Sequence, residues 1–155
     1  MSSLPVVNQV PRRSGALLEH LSRRMKVRSE SVLEPFGLRL RHLVAMTVLR
    51  ERAEITQADL ATTLRLDRTN LVGLLNELED RGLVARTRSP EDRRKHLVAL
   101  TDEGRDLLAR TEFALAAVED EVLGALSGEQ RETLYDLLAQ ATAGDGSCGP
   151  PMGTC

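Results

Sequence analysis

Apolar residues recur at three- and four-residue intervals along most of this 155-residue chain, the spacing that places side chains on one face of an α-helix. The pattern predicts a first helix from Ser14 to about Leu33 and a second from about Leu38 to Arg52. Pro35 interrupts the pattern between them, because proline cannot continue a helix from within. The apolar positions of these two stripes are Leu17, Leu18, Leu21, Met25, Val32, Leu33, Leu40, Leu43, Val44 and Val48.

In the central segment the predicted elements are short, and the spacing of the apolar residues changes from that of helices to that of strands. A short helix over residues 57–64 is predicted after Thr56, and a longer one follows Asp67, since both residues are good helix N-caps. Gly82 ends the second helix. Two short strands then follow, Leu83–Arg88 and His96–Thr101, joined by the loop 89–95. Two helices joined by a tight turn and followed by a hairpin form a winged helix-turn-helix.

The C-terminal part returns to a helical period. It predicts a long helix from Thr101 or Asp102 to about Leu126, and a last helix from Ser127 to about Ala143. We expect residues 1–13 to be a flexible segment and residues 144–155 a disordered tail. The predicted fold is therefore mainly α with a small two- to three-stranded antiparallel wing.

Composition narrows the class of protein. Hydrophobic residues make up 41% and aromatic residues 2%, so leucine, valine and alanine must build the core. No apolar run approaches the roughly 20 residues of a membrane span, and the N-terminus lacks the pattern of a secretion signal. Cys148 and Cys155 both lie in the C-terminal tail, which fits a reducing cytoplasm and predicts a cytoplasmic location. Those two thiols are free to pair or to bind metal with a histidine, but a free, incidental pair is favoured in such a tail.

Charge is unevenly distributed although the net charge is only −2. Residues 1–54 hold ten basic and five acidic side chains, and residues 81–96 hold six basic and two acidic ones. Residues 102–145 hold three basic and eleven acidic side chains, which we interpret as a solvated acidic face. Exposed charges act only over about 8–10 Å, so the basic region at 81–96 matters locally. It coincides with the predicted hairpin.

The helix after Asp67 has a polar face suited to a DNA major groove. Its leucines cluster on one side, and the other side carries Thr69, Gly73, Asn76 and Asp80. Thr69 and Asn70 offer hydrogen bonds to base edges, Arg68 reaches a phosphate or a guanine, and Gly73 removes bulk at a close approach. An ordinary solvated first turn explains the same residues equally well. The helix alone therefore leaves both interpretations open.

The hairpin tip favours the DNA interpretation. Pro90 sets the turn, and Arg93, Arg94 and Lys95 project from the tip, where they would meet the flanking backbone or the minor groove. Asp92 is well spaced to hold the guanidinium of Arg94. The first strand adds two more cations at alternate positions, hence on one face, namely Arg86 and Arg88. A charged tip is usually only solubilising, but here it directly follows a helix-turn-helix.

The segment DRRKHLVALT, residues 92–101, resembles the D-x-R-x-x-x-V/L-x-L-T wing signature of MarR-type transcriptional regulators. The preceding TQADLATTLRLDRTNLVGLLNELEDRGLVARTRSPEDRR is similar to that family's helix-turn-helix running into its wing, and TDEGRDLL is similar to the start of its long fifth helix. The resemblance covers about residues 14–143. The first and last helices match in position and periodicity alone.

The resemblance implies a homodimer held by residues 14–37 and 102–143, with a DNA-binding lobe over residues 38–101. It implies a pseudo-palindromic operator, usually under repression. The residues it assigns to the recognition helix are Arg68, Thr69, Asn70, Gly73 and Asn76. The residue it assigns to the minor groove is Arg94, oriented by Asp92.

Members of this family often respond to small aromatic or phenolic acids. The ligand-binding candidates here are His20, Arg24, Arg28, His42 and Met46. His20 and Arg24 are four residues apart, so they share a helix face that is able to receive a carboxylate. A solvated helix edge or dimer salt bridges explain the same two residues more simply.

Other classes of function find less support. The sequence holds no glycine-rich phosphate loop, H-E-x-x-H, nucleophile elbow or C-x-x-C, so we predict neither an enzyme nor a resident cofactor or metal. Two alternatives remain open: a winged-helix module that binds protein, and an activator without small-molecule control.

Overall fold

The computed structural model describes residues 13–143, and these form six α-helices, one short 3-10 helix and three strands. The segments expected to be a flexible start and a disordered tail lie outside the described residues, except for Arg13. The elements are α1 (Gly15–Leu33), the 3-10 helix (Glu34–Phe36), α2 (Leu40–Arg52), β1 (Ile55–Thr56), α3 (Gln57–Leu64), α4 (Arg68–Asp80), β2 (Val84–Arg88), β3 (His96–Leu100), α5 (Asp102–Val122) and α6 (Gly128–Ala143). The predicted fold class, mainly α with a small antiparallel sheet, is confirmed.

The sheet has three strands in the order β1-β3-β2, all antiparallel. Val98 of the central strand lies opposite Ile55 on one side and Arg86 on the other. The strand pattern predicted β2 and β3 individually but not β1, since two residues are too few to show an alternation. β1 exists because β3 offers it an edge, which is a tertiary rather than a local cause.

The two predicted N-caps, Thr56 and Asp67, are confirmed in atomic detail, and Thr101 is a third N-cap of the same kind. The hydroxyl of Thr56 accepts the Asp59 N–H at 3.1 Å, and the hydroxyl of Thr101 accepts the Gly104 N–H at 3.0 Å. The carboxylate of Asp67 caps α4 in the same way. Each cap satisfies an amide at a helix start that has no partner within the helix, which stabilises the fold by about 1 kcal/mol.

Two predicted helix boundaries are wrong by a few residues. α2 begins at Leu40 rather than Leu38, because Arg39 adopts an extended conformation and acts as the N-cap. α5 ends at Val122 rather than near Leu126, and a turn follows in which the Leu126 N–H bonds to the Leu123 carbonyl at 2.9 Å. Helix ends are the least determined part of a periodic pattern, because an apolar residue continues the stripe whether or not the backbone remains helical.

One apolar core joins α2, α3, α4 and the sheet to the ends of α1 and α5 that face them. Burying one such leucine or valine contributes roughly 1.5–3 kcal/mol, so this cluster dominates the stability of the lobe. Its most completely buried members are Leu33, Met46, Leu49, Leu60, Leu71, Leu75, Leu78, Val98 and Leu108.

The start of α5 is packed against the turn after α4 and the end of β3 without spare room. A Cβ at Gly104 would lie 2.2 Å from the Leu83 carbonyl oxygen and 2.8 Å from Leu100. The Thr101 N–H bonds to that same Leu83 carbonyl at 3.0 Å, and its hydroxyl donates to the Gly82 carbonyl at 2.6 Å. This close contact anchors the long helix to the lobe.

The last helix is different, because none of the α6 residues is fully buried within the described chain. Tyr135, Leu137 and Leu138 are all exposed on it, and Leu17 and Phe113 are exposed on α1 and α5. An isolated helix of this length is marginal in water, so α6 requires a surface to cover its apolar side. That surface is not supplied by residues 13–143 of the same chain.

Candidate functional site

α4 divides into the two faces that its sequence predicts. Its four leucines, Leu71, Leu74, Leu75 and Leu78, are buried. Arg68, Thr69, Asn70, Gly73 and Asn76 are all exposed. The helix thus packs into the lobe through one side and exposes the other, as a helix that contacts base edges must.

The first turn of α4 is rigidified by Asp67. Its carboxylate accepts the Asn70 N–H at 2.8 Å and the Asn70 side-chain amide at 2.6 Å. The amide group of Asn70 therefore donates inward and leaves its oxygen as the free acceptor. The sequence predicted the cap but not this second contact, because an N-cap pattern does not specify the side chain three residues later.

Gly73 lies in open space. A Cβ at this position would have nothing within 4 Å, so packing inside the chain does not require glycine there. Glycine within a helix costs up to about 1 kcal/mol relative to alanine. A close approach by another molecule remains the physical reason to accept that cost.

The loop at the wing tip is ordered by its own backbone. The buried Ser89 accepts the Glu91 N–H at 3.3 Å through its hydroxyl, and its own N–H bonds to the Lys95 carbonyl at 2.9 Å. Asp92 accepts the backbone N–H of Arg94 at 3.0 Å. The prediction that Asp92 holds the guanidinium of Arg94 is corrected, because Asp92 shapes the turn that carries Arg94 instead.

The wing tip and α4 face a common cleft of about 510 Å³. Its lining includes Arg68 from α4 and Arg94, Lys95 and His96 from the wing, together with the polar start of α3. Arg88 and Arg93 are also exposed. Asp59 contributes one acidic group to the cleft. The structure therefore brings Arg68, Arg94 and Lys95 to one side of the lobe, and it adds His96, which the sequence did not single out.

Arg86 is placed differently from Arg88, although both were predicted to face DNA. Its side chain is only 21% exposed and donates from Nε to Glu79 Oε2 at 2.9 Å and from Nη2 to Asn76 Oδ1 at 2.7 Å. The hydrogen bond from Arg86 lowers the pKa of Glu79, and burial opposes this in part. Arg86 is thus engaged within the lobe, whereas Arg88 is exposed.

A second polar link ties α4 to the start of α2. Arg41 donates from Nη2 to both carboxylate oxygens of Glu77 at 2.8 Å, and His42 Nε2 lies 2.6 Å from Glu77 Oε2. The hydrogen bond from His42 lowers the pKa of Glu77, and Arg41 adds to the effect. Helical periodicity contains no signal for these partners of Glu77, which lie more than thirty residues away in the chain.

The five ligand-binding candidates do not share one surface. His20 and Arg24 are exposed on α1, whereas His42 and Met46 are buried in the lobe. Arg28 pairs with Glu121 at 2.8 Å. The ligand-binding role of these five residues stays a prediction.

Two further features of the described residues concern metal binding and membrane association. Among residues 13–143, no three histidine, cysteine or acidic side chains are grouped to hold a metal ion. Cys148 and Cys155 lie outside that range. No helix in the described part of the chain is long and apolar enough to cross a membrane.

Comparison with known proteins adds an independent line of evidence. A family model described as MarR family matches residues 38–96. The chain is 36% identical over 104 residues to the uncharacterised HTH-type transcriptional regulator YdgJ of Bacillus subtilis (strain 168), covering 67% of this chain. It spans less than two thirds of the length of the curated relatives it matches, 63% of this one and 56% of another.

Two solved structures extend the similarity beyond the central lobe. A MarR family transcriptional regulator from Rhodococcus sp. RHA1 is 34% identical, with a TM-score of 0.69, over 80% of this chain and 88% of that chain. The transcriptional repressor CouR, solved bound to a 23-mer DNA duplex, is 33% identical, with a TM-score of 0.72. That match covers 86% of this chain and 99% of the CouR chain.

Proposed function

Because this chain belongs to the MarR family of transcriptional regulators, we propose that it binds double-stranded operator DNA and regulates the transcription of nearby genes, most often as a repressor. The observation that carries this proposal is the cleft shared by Arg68 of α4 and Arg94 of the wing. A helix start and a basic tip on one side of a lobe suit simultaneous contacts to a major groove and the adjacent minor groove.

Each part of this surface has a distinct proposed role. The exposed side chains of Thr69, Asn70 and Asn76 read base edges, and Gly73 admits the DNA closely. The wing cations neutralise phosphates, and an inserted arginine is attracted by the negative potential of a narrow minor groove. The phosphate and minor-groove contacts are assigned to Arg68, Arg88, Arg93, Arg94 and Lys95, with Asp92 ordering the turn. The proposed role of the protein is to bind DNA rather than to catalyse a reaction. We propose that it acts on its operator in the cytoplasm.

We propose a homodimer as the active form. α6 leaves Tyr135, Leu137 and Leu138 exposed and has no fully buried residue, and α1 exposes Leu17 and Val27. A second copy of the chain supplies the cover that α6 requires, through the helices at 14–37 and 102–143. Two lobes related by a two-fold axis then read a pseudo-palindromic site, since operator symmetry mirrors protein symmetry.

We further propose that a small aromatic or phenolic acid relieves repression. His20 and Arg24 are the candidates for its carboxylate, since both are exposed and lie four residues apart on α1. Calorimetry with a panel of aromatic carboxylates tests this, with Arg24→Ala as the variant that must weaken binding. Absence of binding by every acid in the panel, together with no release of DNA, contradicts effector control but leaves DNA binding intact.

Sequence-selective DNA binding is tested by fluorescence anisotropy. DNA fragments selected from a random pool by the protein are titrated beside shuffled fragments of the same composition. Arg94→Ala is expected to weaken binding to both about tenfold and to reduce the salt slope by about one. Arg110→Ala, which removes an exposed arginine from α5, serves as the control and leaves the affinity unchanged. Equal affinity of the unmodified protein for selected and shuffled DNA contradicts the proposal.

The direction of regulation is tested separately. A reporter gene behind the selected site is expected to be silenced when the protein is present and expressed when it is absent. Higher expression in its presence identifies an activator instead.

A further inference from the structure

The side chain of Asn76, on the exposed face of α4, is hydrogen-bonded to Arg86 of strand β2. Its Oδ1 accepts a hydrogen bond from Arg86 Nη2 at 2.7 Å. The same guanidinium donates from Nε to Glu79 Oε2 at 2.9 Å and forms a second, shorter contact to that oxygen through Nη2. One carboxylate therefore anchors Arg86, and Arg86 in turn anchors Asn76.

The chemistry of the guanidinium decides which way the amide of Asn76 is turned. Arginine carries five N–H donors and no acceptor, so the atom that faces it must be the amide oxygen. The two N–H donors of the Asn76 amide are then directed away from Arg86. In the isolated side chain these two orientations are nearly equivalent, and Arg86 removes that equivalence.

The orientation matters for reading bases. An asparagine that recognises adenine uses its oxygen to accept from N6 and its amide nitrogen to donate to N7. Guanine instead presents two acceptors, N7 and O6, to the major groove. An amide whose oxygen is already engaged by Arg86 fits the two acceptors of guanine better than the mixed edge of adenine.

We propose that Arg86 is a positioning residue that turns the N–H donors of Asn76 toward the major groove and so makes the protein prefer guanine over adenine at the base pair read by Asn76. This inference rests on the proposed DNA binding and gives it one specificity-determining contact. It also reassigns Arg86, which is 21% exposed and paired with Glu79, from a phosphate contact to an internal one.

The experiment first identifies the base pair that Asn76 reads, as the position whose preference disappears in sites selected by Asn76→Ala. Duplexes with guanine or adenine at that position are then titrated with the full chain and with Arg86→Met between 50 and 200 mM salt. The full chain is expected to prefer guanine about tenfold. Arg86→Met is expected to prefer it no more than about twofold, with the salt slope unchanged, because Arg86 contacts no phosphate.

Arg88→Met is the matched control, two residues along the same strand and exposed. It is expected to lower the salt slope by about 0.9 and to keep the preference for guanine. In the double variant, Asn76→Ala with Arg86→Met, the second substitution adds nothing at this base pair. Thermal unfolding of each variant checks that the fold is retained.

Several results overturn the inference while leaving DNA binding standing. They are a guanine preference that survives in Arg86→Met, a salt slope that falls by about 0.9 in that variant, or unchanged base preferences in Asn76→Ala. If Arg86→Met fails to fold, Glu79→Ala is titrated instead, since loss of its anchor must also reduce the preference at least threefold. A full chain that selects no DNA sequence at all contradicts the proposed function itself.

Discussion

The imidazole of His42 joins the start of α2 to the last turn of α4. Its Nε2 lies 2.6 Å from Glu77 Oε2, and its Nδ1 accepts the backbone N–H of Arg39 at 3.0 Å. Because a neutral ring carries one hydrogen, Nδ1 as acceptor places that hydrogen on Nε2, which donates to Glu77. A single ring therefore caps one helix and fixes the position of another.

Glu77→Gln is expected to destabilise the protein at neutral pH and much less in acid. The hydrogen bond from His42, with the contribution of Arg41, lowers the pKa of Glu77 in the folded state. Its carboxylate therefore stabilises the fold above the ordinary glutamate pKa, and this stability is lost as pH falls through the lower folded-state value. Since Glu77 is about half exposed, we expect about 0.5–1 kcal/mol at pH 7, measured by urea unfolding.

The control for this prediction is Glu91→Gln, an exposed acid in the wing loop that removes one negative charge without touching His42. Its free energy of unfolding should match the unmodified protein at both pH values. A difference for Glu77→Gln that grows on acidification contradicts the assigned sign.

Gly73 is exposed and Gly104 is tightly packed, so replacing each by alanine should change the free energy of unfolding in opposite directions. Gly73→Ala is expected to raise the free energy of unfolding by up to about 1 kcal/mol, because its site is open and alanine favours helix. Gly104→Ala is expected to lower it by about 1–3 kcal/mol, because the added methyl group meets the Leu83 carbonyl at 2.2 Å. Chemical unfolding measures both.

The same pair separates stability from binding. Gly73→Ala should weaken DNA binding despite its greater stability, since the methyl group occupies the face that approaches the groove. Unchanged affinity in this variant shows that Gly73 has no role in close approach.

Two substitutions of Asp92 separate the effect of its charge on DNA affinity from the effect of its hydrogen bond. Loss of the charge should raise the affinity, and loss of the hydrogen bond should lower it. Asp92→Asn removes a negative charge near DNA and retains an oxygen for the Arg94 N–H, so affinity should stay equal or rise. Asp92→Ala removes the same charge together with the hydrogen bond of 3.0 Å, and affinity should fall several-fold as the turn loosens. Anisotropy at one fixed salt concentration compares them, and equal gains in both variants refute a turn-shaping role.

The exposed side of α6 should control assembly. Leu138→Asp places a charge on the apolar side of this helix and is expected to convert the dimer into monomer, with weaker operator binding. Gln140→Asp introduces the same residue about 200° around the helix and should leave the dimer intact. Light scattering on size-exclusion chromatography measures both masses, and a dimer that persists in Leu138→Asp argues against α6 as the interface.

Periodicity and capping were sufficient for most of the architecture. The leucines of α4 recur at helical spacing, so their burial and the exposure of Thr69, Gly73 and Asn76 followed directly from the sequence. The caps at Thr56 and Asp67 were also predicted from the sequence, because each side chain accepts a hydrogen bond from an amide only three residues away. All of these contacts and spacings involve residues close together in the chain, so the order of the residues is enough to predict them.

Contacts between distant residues were decided by the tertiary structure. Arg86 and Arg88 alternate along one strand and are alike in sequence, yet Arg86 meets Glu79 and Asn76 while Arg88 is exposed. The difference arises because the first part of β2 packs against α4, whereas the end of β2 that carries Arg88 extends beyond α4. The sequence by itself determined the helices, two of the three strands, the buried and exposed faces of α4, and the surface that we propose reads DNA. Only their packing decided which cations on that surface remain unpaired for phosphate, because a charged side chain bonds to whichever partner the fold brings within reach.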